Sequence, residues 1–199
     1  LKTDYLDVLL LHRPDALMEP EQVAEAFEGL EATGKVRHFG VSNHSPGQIR
    51  LLQRYVKQPI AVNQLQFGLG HCGIISEGIC VNLPGEAVGN EGGVLDYCRF
   101  KEITIQAWSP LQYGFFEGVI LGSDRYPDLN RALERMGDQY GISSDGIAAA
   151  WILRHPAGIQ PVCGTTKPER LRCFCEGCHV TLTREEWYEL YRAAGNRLP

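Results

Sequence analysis

The chain has 199 residues, 44% of them hydrophobic and 22% charged, with a formal net charge of -5. That apolar share is enough for a core and excludes wholesale disorder, and the length suits one domain over residues 1–199. No dense Lys/Arg run offers a nucleic-acid face, and no apolar stretch nears the roughly 20 residues that cross a bilayer.

Taken in chain order, Tyr5 to Leu11 is an almost continuous apolar run, the pattern of a strand buried on both faces. It ends at the turn His12-Arg13-Pro14-Asp15. Pro20 opens a helix with Val23, Ala26, Phe27 and Leu30 on one face, and Gly34 stops it. Val36 to Val41 is a second strand, ending in Ser42-Asn43. Ser45-Pro46 reads as an N-cap followed by Pro at the first helical position. Ile49, Leu52, Tyr55 and Val56 form that helix's apolar face. Ile60 to Val62 is a strand ending at Asn63-Gln64.

Gly68 to Gly93 is Gly-rich and aperiodic, which predicts a long functional loop. Val94 to Arg99 is a short helix, and Ile103 to Ala107 a strand ending at Trp108-Ser109-Pro110. A second loop with Gly and aromatic residues follows. Leu129, Leu133, Met136 and Tyr140 mark a helix. Asp145 caps the next, which carries Ile147, Ala150, Trp151 and Leu153. Ile159 to Cys163 is a strand ending at Gly164-Thr165, and Pro168 opens another helix. Thr183 to Glu186 is a capping box before a last helix with Trp187, Leu190 and Tyr191.

Five strands each followed by a helix predict a parallel sheet with helical crossovers. Each strand ends in polar residues: His12, Ser42-Asn43, Gln64, Trp108-Ser109 and Gly164-Thr165. In a parallel barrel all strand C-termini open on one face, so these side chains converge on one site. A doubly wound sheet also gathers ligands at its strand ends. Spacing does not separate the two, although no G-x-G-x-x-G follows a strand.

Seven cysteines, an odd number, are spread through a chain rich in ordinary core residues. They read as reduced thiols of a cytoplasmic protein rather than a disulfide scaffold. The chain begins Leu1-Lys2-Thr3-Asp4, without Met or a signal pattern, and so reads as a fragment of a longer protein.

The segments LKTDYLDVLLLHRPD, GKVRHFGVSN, VNQLQF, AWSPL and GTTKPERL, in that order, resemble the aldo-keto reductase family. The resemblance spans Leu1 to about Trp187, and within the family it is nearest the bacterial-type general oxidoreductases. It implies an α/β fold, a partial (β/α)8 TIM barrel comprising about strands 4 to 8 and lacking the N-terminal third. It also implies hydride transfer from NADPH to a small aldehyde or ketone. An alternative on the same fold is a nucleotide-binding regulatory subunit resembling potassium-channel β-subunits.

By resemblance His12 is the catalytic histidine, placing and polarising the substrate carbonyl. The family's catalytic Tyr, Lys and Asp correspond to no residue of this sequence, which implies that the 199 residues alone are inactive. Ser42, Asn43 and Gln64 match the ligands of the nicotinamide carboxamide, whose donors and acceptor an amide can satisfy. Trp108 matches the aromatic that stacks on the nicotinamide ring, and Ser109 and Leu111 the pyrophosphate loop.

Gly164, Thr165, Lys167 and Arg170 match the region that holds the adenosine 2′-phosphate, where a helix start offers N–H groups to an anion. Two departures bear on NADP against NAD. Gly164 stands where many members carry Lys, and Cys173 and Phe174 stand where many carry a Glu-Asn pair. The substrate pocket falls on the loops Gly68 to Gly93 and Gln112 to Asp128. Their Tyr113, Phe115 and Phe116 suggest an aromatic lining.

One motif competes. Cys175-Glu176-Gly177-Cys178-His179 matches C-x-x-C-H, the pattern of covalent haem attachment. With Cys173 it also offers three thiols and an imidazole to zinc. Haem attachment needs an exported chain, and structural zinc sites more often use two separated ligand pairs. The segment reads as a cluster of free thiols, with no metal.

Overall fold

Proline sets the start of four helices, at Pro20, Pro46, Pro127 and Pro168, where a missing N–H costs nothing and the fixed φ suits the first turn. The computed structural model describes residues 2–81, 83, 92–115 and 117–199. Its elements alternate as β1 (Leu6–Leu11), α1 (Pro20–Ala32), β2 (Val36–Ser42), α2 (Pro46–Gln53) and β3 (Ile60–Gln66). Then come α3 (Gly73–Ile79), α4 (Val94–Phe100), β4 (Thr104–Trp108) and a small hairpin of β5 (Gln112–Tyr113) and β6 (Gly118–Val119). The chain finishes with α5 (Pro127–Tyr140), α6 (Ser144–Leu153), β7 (Gln160–Pro161), α7 (Pro168–Glu176), a 3-10 turn (Gly177–His179) and α8 (Arg184–Ala193).

The main sheet has the order β1-β2-β3-β4-β7, and the β1–β2, β2–β3 and β4–β7 pairs are parallel. Five parallel strands with helical crossovers are part of a (β/α)8 barrel. The chain divides into two compact units. The first takes the residues up to Leu65 together with Gly92–Ile105. The second takes Gln66 and α3 together with Gln106–Pro199.

In the first unit Phe27 of α1 stacks on Phe39 of β2 with centroids 4.0 Å apart. Val36, Val41, Ile49, Leu52, Ile60 and Val62 complete its core. Each such side chain contributes about 1.5–3 kcal/mol by leaving water. The capping box at α2 is present: Ser45 Oγ accepts from Gln48 N (3.3 Å) and Gln48 Oε1 accepts from Ser45 N (2.9 Å).

In the second unit, α6 is buried along Gly146–Ile152 and packs against α5 and α7. Its approach to the 3-10 turn depends on two glycines. A Cβ on Gly177 would overlap the Gly146 carbonyl, so the backbones touch where side chains would hold them apart. Trp151 and Trp187 stack 4.8 Å apart, and each indole N–H donates to the other's carbonyl at 3.0 Å. Such a pair contributes about 0.5–1.5 kcal/mol beyond its area. The Thr183–Glu186 capping box is also present, at 2.8 and 3.2 Å.

Several expectations need correction. β1 is not buried on both faces: Val8 is 38% exposed, because β1 lies at the end of the strand order with β2 as its one strand neighbour among the described residues. The cap of α6 is Ser143, whose Oγ accepts from Gly146 N, and Asp145 sits in the first turn instead. Within Gly68 to Gly93 lies α3, formed around the buried Ile74 and Ile75; positions 82 and 84–91 fall outside the described residues. α2 ends at Gln53, so Tyr55 lies beyond it and is exposed, while Val56 is buried by the following turn. β7 is shorter than the run Ile159 to Cys163, because Pro161 has no N–H to give the ladder. Val162 N still donates to Ala107 O at 2.8 Å.

Candidate functional site

At the C-terminal end of the first unit's strands, the sequence places Ser42, Asn43 and Gln64 in direct contact. Ser42 pairs with Gln64 in the parallel ladder, and Leu11 pairs with Val41. His12, one residue beyond β1, therefore leaves its strand in the same row, and it is exposed. The buried Ser42 Oγ donates to Gln64 O at 2.8 Å and accepts from Asn43 Nδ2 at 3.0 Å. Asn43 N also donates to Gln64 O, at 2.9 Å. Asn43 itself is left-handed, with φ 60°, a conformation its short polar side chain tolerates better than most.

Below this turn lies a layer of buried polar groups. His44 is 2% exposed and its Nδ1 is 2.9 Å from Ser42 O. Asn63 is fully buried, and its Nδ2 donates to His44 O at 2.9 Å. Burial lowers the His44 pKa, with the Ser42 carbonyl opposing. The Cys98 thiol is pushed up to about 11 by burial, against a hydrogen bond with Asn63. His44, Asn63 and Cys98 were not expected at the site. The signal was present only as Asn63 next to Gln64, since the layer depends on pairing across β2 and β3.

The second unit holds a cavity of about 150 Å³. Five of the expected cofactor residues line it: Ser109, Leu111, Gly164, Thr165 and Arg170. They come from two separate segments, after β4 and after β7. Ser109 is left-handed (φ 48°) and its carbonyl accepts from Gln112 N at 3.0 Å, which turns the chain into the hairpin. A Cβ at position 68 would overlap the Pro110 carbonyl, so only glycine lets that turn close. Gly164 is exposed, with open space where a Cβ would stand. Thr165 Oγ1 accepts from Lys167 N at 3.2 Å, and no side chain caps α7.

Asp145, Gln112, Cys163 and Phe174 also line this cavity; Phe174 belongs to one of the two departures noted in the sequence, Gln112 begins the second loop, and Asp145 and Cys163 carry no sequence signal for this place. The Cys163 thiol is pushed up by burial first, with Cys175 and Asp145 adding to the rise and the Thr165 backbone and Arg170 opposing it. Lys167 and Trp108 are not among the lining residues. The Trp108 ring instead meets Phe115 edge-on, with centroids 6.5 Å apart.

The hairpin beside the cavity is tied down by Gln66 Nε2, which donates to Gly114 O at 2.7 Å. Tyr113 packs against Tyr126 and under Arg125, while Phe115 is 61% exposed. Phe116 lies outside the described residues. The C-x-x-C-H segment spans the end of α7 and the 3-10 turn, with Cys175 and Cys178 exposed and Cys173 half-buried. Among the described residues no group of three or more His, Cys, Asp or Glu is placed to hold a metal ion. None of the described helices is long and apolar enough to cross a membrane.

The model of the aldo/keto reductase family matches residues 1–194. A 6-dehydroglucose reductase of Agrobacterium fabrum is 38% identical over 192 residues, covering 96% of this chain and 58% of the relative. The uncharacterized oxidoreductase YcsN of Bacillus subtilis is 37% identical, covering 97% of this chain and 59% of the relative. Among solved structures, an aldo-keto reductase from Klebsiella pneumoniae in complex with NADPH superimposes with a TM-score of 0.75 at 27% identity. It covers 98% of this chain and 61% of that one. The chain spans about three fifths of the length of the curated relatives it matches.

Proposed function

The chain belongs to the aldo/keto reductase family, and from that premise we propose that it serves the transfer of a hydride from NADPH to an aldehyde or ketone. The observation that carries this reading is the cavity of the second unit, where five residues named from the sequence line one space. The residues there fit a phosphate. Arg170 can fork two hydrogen bonds to it. After Pro168, which has no N–H, the first N–H groups of α7 have no acceptor within the helix, and the side chain of the N-cap Lys167 does not take them. The Klebsiella relative holds NADPH, which supports the same cofactor here.

When bound, NADPH supplies the hydride. The chain's own residues bind and orient it. Thr165, Arg170 and the start of α7 take the adenosine 2′-phosphate, and Lys167 adds a positive charge next to them in sequence. Ser109 and Leu111 border the pyrophosphate. Trp108 offers the nicotinamide a ring to stack on. By family resemblance Asn43 and Gln64, fixed with Ser42 by the bonds between β2 and β3, are the residues that would hold the carboxamide. His12 donates a ring N–H to the substrate carbonyl oxygen and draws charge toward it. The proton donor Tyr and its Lys and Asp partners have no counterpart in these 199 residues, so this polypeptide alone binds cofactor without turnover. The 6-dehydroglucose reductases among the relatives make an oxidised sugar the first substrate to try on the full-length protein.

Fluorescence titration tests the reading. The folded 199-residue polypeptide, checked by circular dichroism, should quench with NADPH in the high micromolar range. Arg170→Ala should weaken binding about tenfold, the scale of one charge-assisted pair. A folded polypeptide that shows no quenching overturns the reading. Identical quenching by the Arg170→Ala variant removes Arg170 from the site.

A further inference from the structure

We propose that Asp145 is a specificity-determining residue of the second unit's cavity, one that admits the ribose hydroxyls of NADH alongside the 2′-phosphate of NADPH. The inference rests on the reading of that cavity as the adenosine end of the cofactor site.

The lining carries one formal cation, Arg170, and one formal anion, Asp145. A phosphate dianion gains from an excess of positive charge, and here Asp145 offsets Arg170 and leaves the N–H groups at the start of α7. The position after β7 where a second cation could stand is Gly164, with nothing within 4 Å of its Cβ direction, and Lys167 is not among the lining residues. A ribose diol makes the opposite demand. It brings two O–H donors and needs acceptors. Asp145 supplies two carboxylate oxygens. Gln112 adds a buried Oε1 that has no partner among the described residues. The cavity therefore offers acceptors that a phosphate cannot use and a diol can.

Asp145 has an ordinary alternative role, stabilising the first turn of α6 by its charge. Ser143 already caps that helix through Gly146 N at 3.2 Å. The opposing influences of Asp145 and Arg170 on the Cys163 thiol also place both charges at the cavity rather than away from it. A helix-stabilising role would leave the choice of cofactor untouched, and that difference is measurable.

The test is the ratio of dissociation constants for NADH and NADPH, measured by fluorescence on the full-length protein and its variants. Asp145→Asn should shift the ratio toward NADPH by about tenfold, the scale of removing one like charge from a partly solvated anion pocket. Asp145→Glu, which keeps the charge, should stay near the parent ratio. Binding of both cofactors with an unchanged ratio in Asp145→Asn overturns this inference and leaves the cofactor site standing. Failure of the parent protein to bind either cofactor overturns the cofactor site and the inference together.

Discussion

The strand-end cluster of the first unit and the cavity of the second are built on opposite plans. In the cluster the polar groups are bonded to one another: Ser42 to Gln64, Asn43 to Ser42, Asn63 to His44 and His44 to Ser42. In the cavity the polar groups border open space. Arg170 is exposed, and a Cβ on Gly164 would meet no atom within 4 Å among the described residues. A neutral amide is recognised by geometry, which rewards groups fixed in advance. A charged group is recognised by field and by reachable donors, which tolerates side chains that settle on binding. The two plans also predict that the same kind of substitution has different consequences in the two places.

The largest contrast comes from Asn63. Asn63→Ala removes a fully buried donor and leaves the His44 carbonyl without its bond. A lost buried hydrogen bond with an orphaned partner costs about 1–3 kcal/mol, and urea denaturation should show a loss of that size. A loss below about 0.5 kcal/mol, the usual range of surface changes, would mean that the layer is not what holds the turn.

Much of this arrangement was readable in advance, because local rules carry it. The Pro-opened helices, the capping boxes at Ser45 and Thr183, and the strand-helix alternation all follow from nearest neighbours in sequence. The adjacency of the β1, β2 and β3 ends followed from the period of that alternation. What escaped needed partners distant in sequence. The exposure of β1 depends on its place in the sheet. α3 is a seven-residue helix whose two buried isoleucines make no repeating stripe. Asp145 reads as a cap from sequence because Asp is a good one, and Ser143 two positions earlier took that role. Its place in the cavity depends on how α6 lies beside the segment after β7.

A second, smaller contrast is pH-dependent. Burial keeps the His44 pKa below the 6.5 of a free imidazole. As pH falls below about 6.5 the unfolded chain takes up that proton and the folded one does not, so the unfolded state is favoured. Stability therefore declines below about pH 6.5 and levels off once the folded state also protonates. His71 is lowered by burial too and acts in the same direction. Denaturation midpoints at pH 7.5 and 5.5 should converge in His44→Gln relative to the parent, without becoming equal. A variant with the parent's full pH dependence takes His44 out of the account.

The smallest expected effect is the one that most sharpens the comparison. Arg170 is exposed beside the cavity, whereas Phe174 one turn further along α7 is buried. If the cavity is kept for a ligand, Arg170→Ala should change unfolding free energy by no more than about 0.5 kcal/mol, even though it weakens cofactor binding. Stability is measured without cofactor, since a ligand that binds only the folded state would add its own contribution. A loss of 1 kcal/mol or more in that measurement would show that Arg170 braces the start of α7. The cavity would then be held together by its own charges, as the strand-end cluster is by its hydrogen bonds, and the distinction between the two regions would fail.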